Sequence, residues 1–413
     1  MRFKLLFIVF IVINILYPTT LLVSPVSYRH IISLIMLVTC VWERFKSDKY
    51  LYLYYGFVFF LGISSVATGF AGTFFNKLLG TYLPFIAAYA ATYVLITKHE
   101  GTNILVWTFV CIGLLNAVVT IGQYFGLEFV DNLSYILRIE YDEEYVSIID
   151  YKDDSEGLAL PGLLGSVDNG YFISATALLI LYNKKSNFYL NIFLWLVAMG
   201  ASFVAQERAG FMLAIVFSAF IVGDYYFTKN RTAGFVALVI VLIVSAIVVY
   251  SYMDEILSSE FRYTKGFDGD GRSEYRSITW DYLLENPMGG FFEFNSGGHH
   301  HPHNFFFNAF LFGGFLGGGC LIVLLFLQIK EIAPYVLSSH ESGSAQWAFI
   351  WGVMYIDYTM NSMVHNASIV QGVAPFFIWW SAFLAYADLY KEEQINNRLK
   401  DYSSEEKDSS SII

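Results

Sequence analysis

Apolar runs long enough to approach or cross about 30 Å of hydrocarbon recur along the whole of this chain. They fall near residues 4–24, 29–43, 50–72, 79–97, 104–126, 169–183, 188–205, 209–227, 233–253, 304–328, 345–360 and 366–388. Inside lipid a backbone must satisfy its own hydrogen bonds, which a helix does within a single segment. The runs therefore predict an all-α, polytopic integral membrane protein with about twelve transmembrane helices. Those at 29–43, 169–183 and 345–360 are short enough to be half-helices. No segment repeats at the period of a solenoid.

Composition agrees with that reading. The chain is 56% hydrophobic and 14% charged, against roughly 25% charged in soluble proteins. Its mean hydropathy is +0.53. Aromatic residues make up 19%, as expected where rings populate membrane interfaces. The net charge of −11 is concentrated in residues 128–168 and in the tail after Lys391. No basic stripe is present to neutralise a phosphate backbone, which argues against a nucleic-acid partner. Cys40, Cys111 and Cys320 all lie in apolar runs and give neither a disulfide framework nor metal-ligand spacing. Arg2 and Lys4 precede the first apolar run, and no small-residue cleavage site follows it, so it reads as an uncleaved first span.

Lys and Arg set the orientation. Counted from a cytoplasmic N-terminus, the short basic connections, with Arg44, Lys46, Lys49, Lys98, Lys184, Lys185, Lys229, Arg231 and Lys330, all fall on the cytoplasmic side. Both termini are then inside. The opposite side holds two long loops. Six regions follow: an N-terminal bundle (1–126), an acidic outer loop (127–168), the spans carrying Arg208 (169–253), a second outer loop (254–303), the C-terminal spans (304–390) and a flexible cytoplasmic tail (391–413).

Candidate chemistry gathers at the edge of the bilayer. Arg208, in AQERAG, lies between the seventh and eighth spans, where an arginine is costly unless it faces protein, water or a ligand. The plainer alternatives are pairing with Glu207 or snorkelling to headgroups. Arg272 and Arg276 precede Trp280 on a short amphipathic segment, YRSITWDYLLENP, stopped by Pro287 and Gly289. A guanidinium fork suits a pair of phosphate oxygens better than an ammonium does; pairing with Asp268, Asp270 or Glu274 is the competing reading. Four histidines then stand within five residues, His299, His300, His301 and His303, with Pro302 between the last two. His303 directly precedes Asn304 and the tenth span, and the positive end of a helix dipole favours the neutral imidazole that a general base requires. Asn304 could orient that ring or bind a sugar hydroxyl. Metal binding is the rival reading of the histidine run. No carboxylate or cysteine stands at fixed spacing from it, so neither a metal nor a cofactor is expected. Gly313, Gly314, Gly317, Gly318 and Gly319 predict a small-residue face for close helix packing. Asp357 is an acid within a span, either functional or bonded to a neighbouring hydroxyl.

The elements QERAG, RSITWDYLLENPMGG and HNFFFNAFLFGGFLG, in this order, resemble the O-antigen polymerase and O-antigen ligase superfamily of bacterial envelope membranes. The likeness covers the C-terminal half, and the implied fold is similar to that of C-type glycosyltransferases. The resemblance implies metal-independent glycosyl transfer on the periplasmic face of the inner membrane, from a glycan carried on undecaprenyl pyrophosphate. It makes Arg208 and Arg276 the pyrophosphate ligands, with Arg272 as an alternative. His303 becomes the base, with His301 among the alternatives, and Asn304 and Trp280 support the site. The acceptor would be a second lipid-linked repeat unit in a polymerase or lipid A–core in a ligase, with membrane lipids and a chain-length regulator as further candidate partners. The short interval between Arg276 and His303 tilts the reading toward polymerase. A flippase for lipid-linked oligosaccharide would carry its charges through the midplane. Here they cluster in loops on one face.

Overall fold

In a computed structural model the described residues are 2–16, 21–23, 26–69, 71–130, 160, 162–163, 166–182, 187–205, 208–229, 272–289, 304–336, 343–362 and 374–410, with single positions at 232, 239 and 243. Thirteen α-helices are followed among them: α1 (Arg2–Leu16), α2 (Tyr28–Trp42), α3 (Lys49–Ala67), α4 (Ala71–Lys77), α5 (Leu83–His99), α6 (Thr102–Tyr124), α7 (Ser166–Tyr182), α8 (Phe188–Val204), α9 (Arg208–Lys229), α10 (Arg272–Glu285), α11 (Phe305–Val336), α12 (Gly343–Ser362) and α13 (Ala374–Ser410). A π-helical segment, Leu78–Tyr82, joins α4 to α5. The all-α expectation holds with one small departure. Strands β1 (Leu21–Val23) and β2 (Val26–Ser27) pair antiparallel between α1 and α2, in a stretch where Pro18 and Pro25 oppose continuation of the first helix.

Four helices among the described residues are long and apolar enough to cross a membrane: Lys49–Ala67, Phe74–His99, Thr102–Tyr124 and Phe305–Val336. Shorter apolar helices run over Tyr28–Trp42, Phe172–Tyr182, Tyr189–Val204 and Gly210–Val222. The expected span at 233–253 lies almost wholly outside the described residues. The tail, expected to be flexible from residue 391, continues α13 as helix to Ser410. Its Lys, Glu, Gln, Leu and Arg are good helix formers, and Lys391 pairs with Asp388 one turn back.

The bundle core is aromatic. Tyr54 and Phe57 of α3 meet Tyr82, and Phe377 of α13 packs against both Tyr54 and Phe85. Tyr355 of α12 lies against Phe376 and Trp380. Trp195, Trp351, Trp379 and Trp380 are fully buried. One end of the bundle is tied by polar groups. Asp48 caps α3 through the amides of Tyr50 and Leu51, both at 2.9 Å, and accepts from the Tyr89 hydroxyl. Tyr50 and Lys49 both reach Glu331 of α11, at 2.7 and 3.3 Å. Tyr93 donates to Asp388 of α13 at 3.0 Å. These bonds fix α3, α5, α11 and α13 at the end opposite the candidate site.

Candidate active site

Helix directions bring several sequence candidates to one end. Lys49 of α3 meets Glu331 near the close of α11, while Phe57 of α3 faces Gly313 and Gly317 further back along it. The two helices therefore run antiparallel, and Asn304, ahead of α11, lies at the end away from Lys49. The helices α6, α8 and α12 finish at that end; α7, α9 and α11 begin there. Arg208 opens α9 and Asn304 precedes α11, so both positions belong to the same face of the bundle.

Asn304 is the N-cap of α11. Its Oδ1 accepts from the amides of Phe306 at 2.9 Å and Phe307 at 3.3 Å. This satisfies donors that a helix start leaves without intrahelical partners. One turn later Asn308 is fully buried, and its amide has no hydrogen-bond partner among the described residues. The helix then breaks at Gly314, whose φ of 63° and ψ of −171° only glycine adopts readily. Gly313 and Gly317 do pack against Phe57 and Phe60 of α3, as the small-residue face predicts. Gly314 does not belong to that face. It receives the turn that ends α10: the Phe315 amide donates to Pro287 O at 3.0 Å. A Cβ on Gly314 would meet the backbone of Pro287 and Met288, and one on Gly289 would lie 2.7 Å from Phe310 O and Leu311 O. Trp280 of α10 completes the dock, edge-on to Phe307 and Phe315 with ring centroids 6.5 and 6.3 Å away.

The start of α9 is held differently. Leu160 donates from its amide to Ala205 O at 3.3 Å, just ahead of Arg208. Gly210 sits against Gly170 of α7, close enough that a Cβ there would lie 3.4 Å from Gly170 O and 3.7 Å from Ser174 Oγ. Ser174 in turn lies beside Asp357 of α12, which is 1% exposed. The intramembrane acid is thus placed one side chain away from the helix that Arg208 opens.

Arg272 and Arg276 are in α10, and their positions recur with Trp280 every fourth residue along one side of the helix. Their side chains, and that of Arg208, lie outside the described residues. So do Glu207 and the whole histidine run, including His301 and His303. The structure adds residues that sequence reading passed over: Asn308, the Gly289–Gly314 dock, and a buried amide cluster of Asn116, Thr120, Gln123 and Asn169. The cluster left a readable trace, because Asn116, Thr120 and Gln123 form a polar stripe at helical spacing within an apolar run.

Residues 192–322 match a family model described as O-antigen ligase. The match supports the O-antigen polymerase and ligase superfamily, and it runs from within α8 past the Gly314 break, taking in Arg208, Arg272, Arg276, His303 and Asn304. No curated protein and no solved structure matches the chain.

Proposed function

With this chain in the O-antigen polymerase and ligase superfamily, we propose that it transfers a glycan from undecaprenyl pyrophosphate to an acceptor sugar at the outer face of the bacterial inner membrane. Members of the family are glycosyltransferase-like enzymes of the membrane. Arg208 and Arg276 hold the diphosphate, with Arg272 as the alternative to Arg276. His303 takes the proton of the acceptor hydroxyl as its oxygen attacks the anomeric carbon. The bond from that carbon to the diphosphate breaks, and the guanidinium groups take up the charge on the leaving group. Charge stabilisation of this kind needs no metal.

One observation carries the reading. The positions of Arg208 and Asn304 open helices at the same end of the bundle, and the helix bearing Arg272 and Arg276 is docked onto the helix that follows His303. The same reading places both termini in the cytoplasm and the loops 127–168 and 254–303 in the periplasm, between an N-terminal bundle of 1–126, the spans of 169–253 and the C-terminal spans of 304–390.

Elongation of a lipid-linked repeat unit is the preferred reaction, because the interval between Arg276 and His303 leaves little room for a large acceptor-binding insertion. Transfer to lipid A–core is the second reading, favoured by the description of the matched family model. Purified protein given a lipid-pyrophosphate-linked glycan separates the two. A ladder of longer lipid-linked glycans identifies a polymerase, and a product on lipid A–core identifies a ligase. Neither product, with donor that another transferase consumes, refutes the reading.

A further inference from the structure

The turn that leads into Arg208 is held by a buried polar network on α6 and α7. Asn169, near the start of α7, donates from Nδ2 to Leu160 O at 2.7 Å and to Thr120 Oγ1 at 3.0 Å. Its Oδ1 accepts from Asn116 Nδ2 at 2.6 Å. Asn116 uses its own Oδ1 to accept from the Leu163 amide at 2.7 Å, and Gln123 Oε1 accepts from the Gly162 amide at 2.9 Å. The segment around Leu160 is thereby fixed on two helices, and Leu160 passes the constraint on by donating to Ala205 O. From the other side, Gly170, the neighbour of Asn169, abuts Gly210. The corner carrying Arg208 is gripped between consecutive residues of α7 and the Leu160 amide.

Asn116, Thr120 and Asn169 are 0% exposed. Neutral polar groups are costly at such depth unless they are bonded, and apolar side chains would fill the space without that cost. What a satisfied network adds is a single defined arrangement. Gly162 shows how tight this one is: its φ is 54°, and a Cβ would lie 2.5 Å from both Asn116 Oδ1 and Asn169 Oδ1.

We propose that Asn169, seated by Asn116 and Thr120, is a positioning residue for Arg208: it fixes the α8–α9 turn and so the place from which the arginine reaches the diphosphate. The consequence for catalysis rests on the role proposed above for Arg208; the structural part does not.

The test uses the full-length protein in membrane vesicles, with Cys40, Cys111 and Cys320 replaced by Ala and one thiol introduced by Arg208→Cys. Asn169→Leu is expected to change the rate at which a membrane-impermeant maleimide labels the thiol at position 208 several-fold. The same substitution leaves unchanged the labelling of a control thiol introduced by Ala67→Cys at the same end of the bundle. With Arg208 intact, Asn169→Leu lowers kcat by about 10- to 100-fold; in an Arg208→Ala background it lowers kcat no further. Unchanged labelling at position 208, or losses that multiply, would overturn the proposal and leave the network as an anchor for the 160–163 segment alone. If Arg208→Ala is itself fully active, the catalytic reading fails and the labelling result alone judges the positioning. If Asn169→Leu does not accumulate, Thr120→Val replaces it. That change keeps the shape, removes only the hydroxyl bonded to Asn169, and is judged by the same two outcomes.

Discussion

Gly289 and Gly314 meet backbone to backbone, both with φ near +60°, and the Phe315 amide beside them donates to Pro287 O. This contact locks the end of α10 into the break of α11. An L-residue in the left-handed region costs roughly 1–2 kcal/mol, and here a methyl would also strike the facing main chain. Gly289→Ala and Gly314→Ala are each expected to lower the melting temperature in detergent and to remove most glycan transfer. Gly319→Ala is the control: its surroundings hold nothing within 4 Å of the new carbon, so its melting temperature stays the same or rises. Full activity in both glycine-dock variants would mean that α10 works without being seated on α11.

Trp280 secures the same junction through its edges. Each aromatic pair is worth about 0.5–1.5 kcal/mol beyond area burial, and Trp280 makes two, with Phe307 and Phe315. Trp280→Ala should weaken the hold of α10 and reduce transfer, while Trp280→Phe keeps an aromatic edge and retains most of it. The decisive comparison is initial rate at saturating donor. Equal rates in the Ala and Phe variants would show that the ring plays no part in seating α10.

The helix after Asn304 is legible in the sequence, because an Asn ahead of an apolar run marks cap and span together. The stop of α10 at Pro287 and Gly289 is legible for the same local reason. The break at Gly314 is not. Five glycines between 313 and 319 look alike along the chain, and which one departs from helical geometry is decided by a turn that arrives from α10. The amide cluster fails in the same way. Its stripe on α6 announces a polar partner, but Asn169 lies beyond the acidic loop, and spacing along a sequence says nothing about what is brought back across it. The ribbon between α1 and α2 was hidden by the apolar character of Leu21–Val23, which continues the first run smoothly. The histidines are the reverse case: sequence singles them out most strongly, and they lie outside the described residues.

Asn304 has two separable duties, one seen and one proposed. Its Oδ1 caps α11, and loss of such a cap costs typically ~1 kcal/mol. Asn304→Ala is expected to lower stability by that order and to lower activity. Asn304→Asp keeps an acceptor at a helix N-terminus, where negative charge is favourable, so the melting temperature should recover. Activity recovering with it would assign Asn304 to capping alone. Activity remaining low would add contact with the acceptor sugar or with the neighbouring base.

His303 and Arg276 divide the proposed chemistry between proton removal and charge stabilisation, and their substitutions should fail in different ways. His303→Ala is expected to abolish long glycan chains while the protein still inserts at wild-type abundance, because binding of the diphosphate does not need the base. Donor should therefore still bind the inactive protein, as read by competition with a short polyprenyl diphosphate. Arg276→Lys keeps the positive charge but loses the planar fork that grips two phosphate oxygens, so both donor affinity and rate should drop. Normal long chains in cells carrying His303→Ala would remove the base role from that residue. Wild-type activity in the Arg276→Lys protein would show that a point charge suffices there and would move the bidentate grip to Arg272 or Arg208.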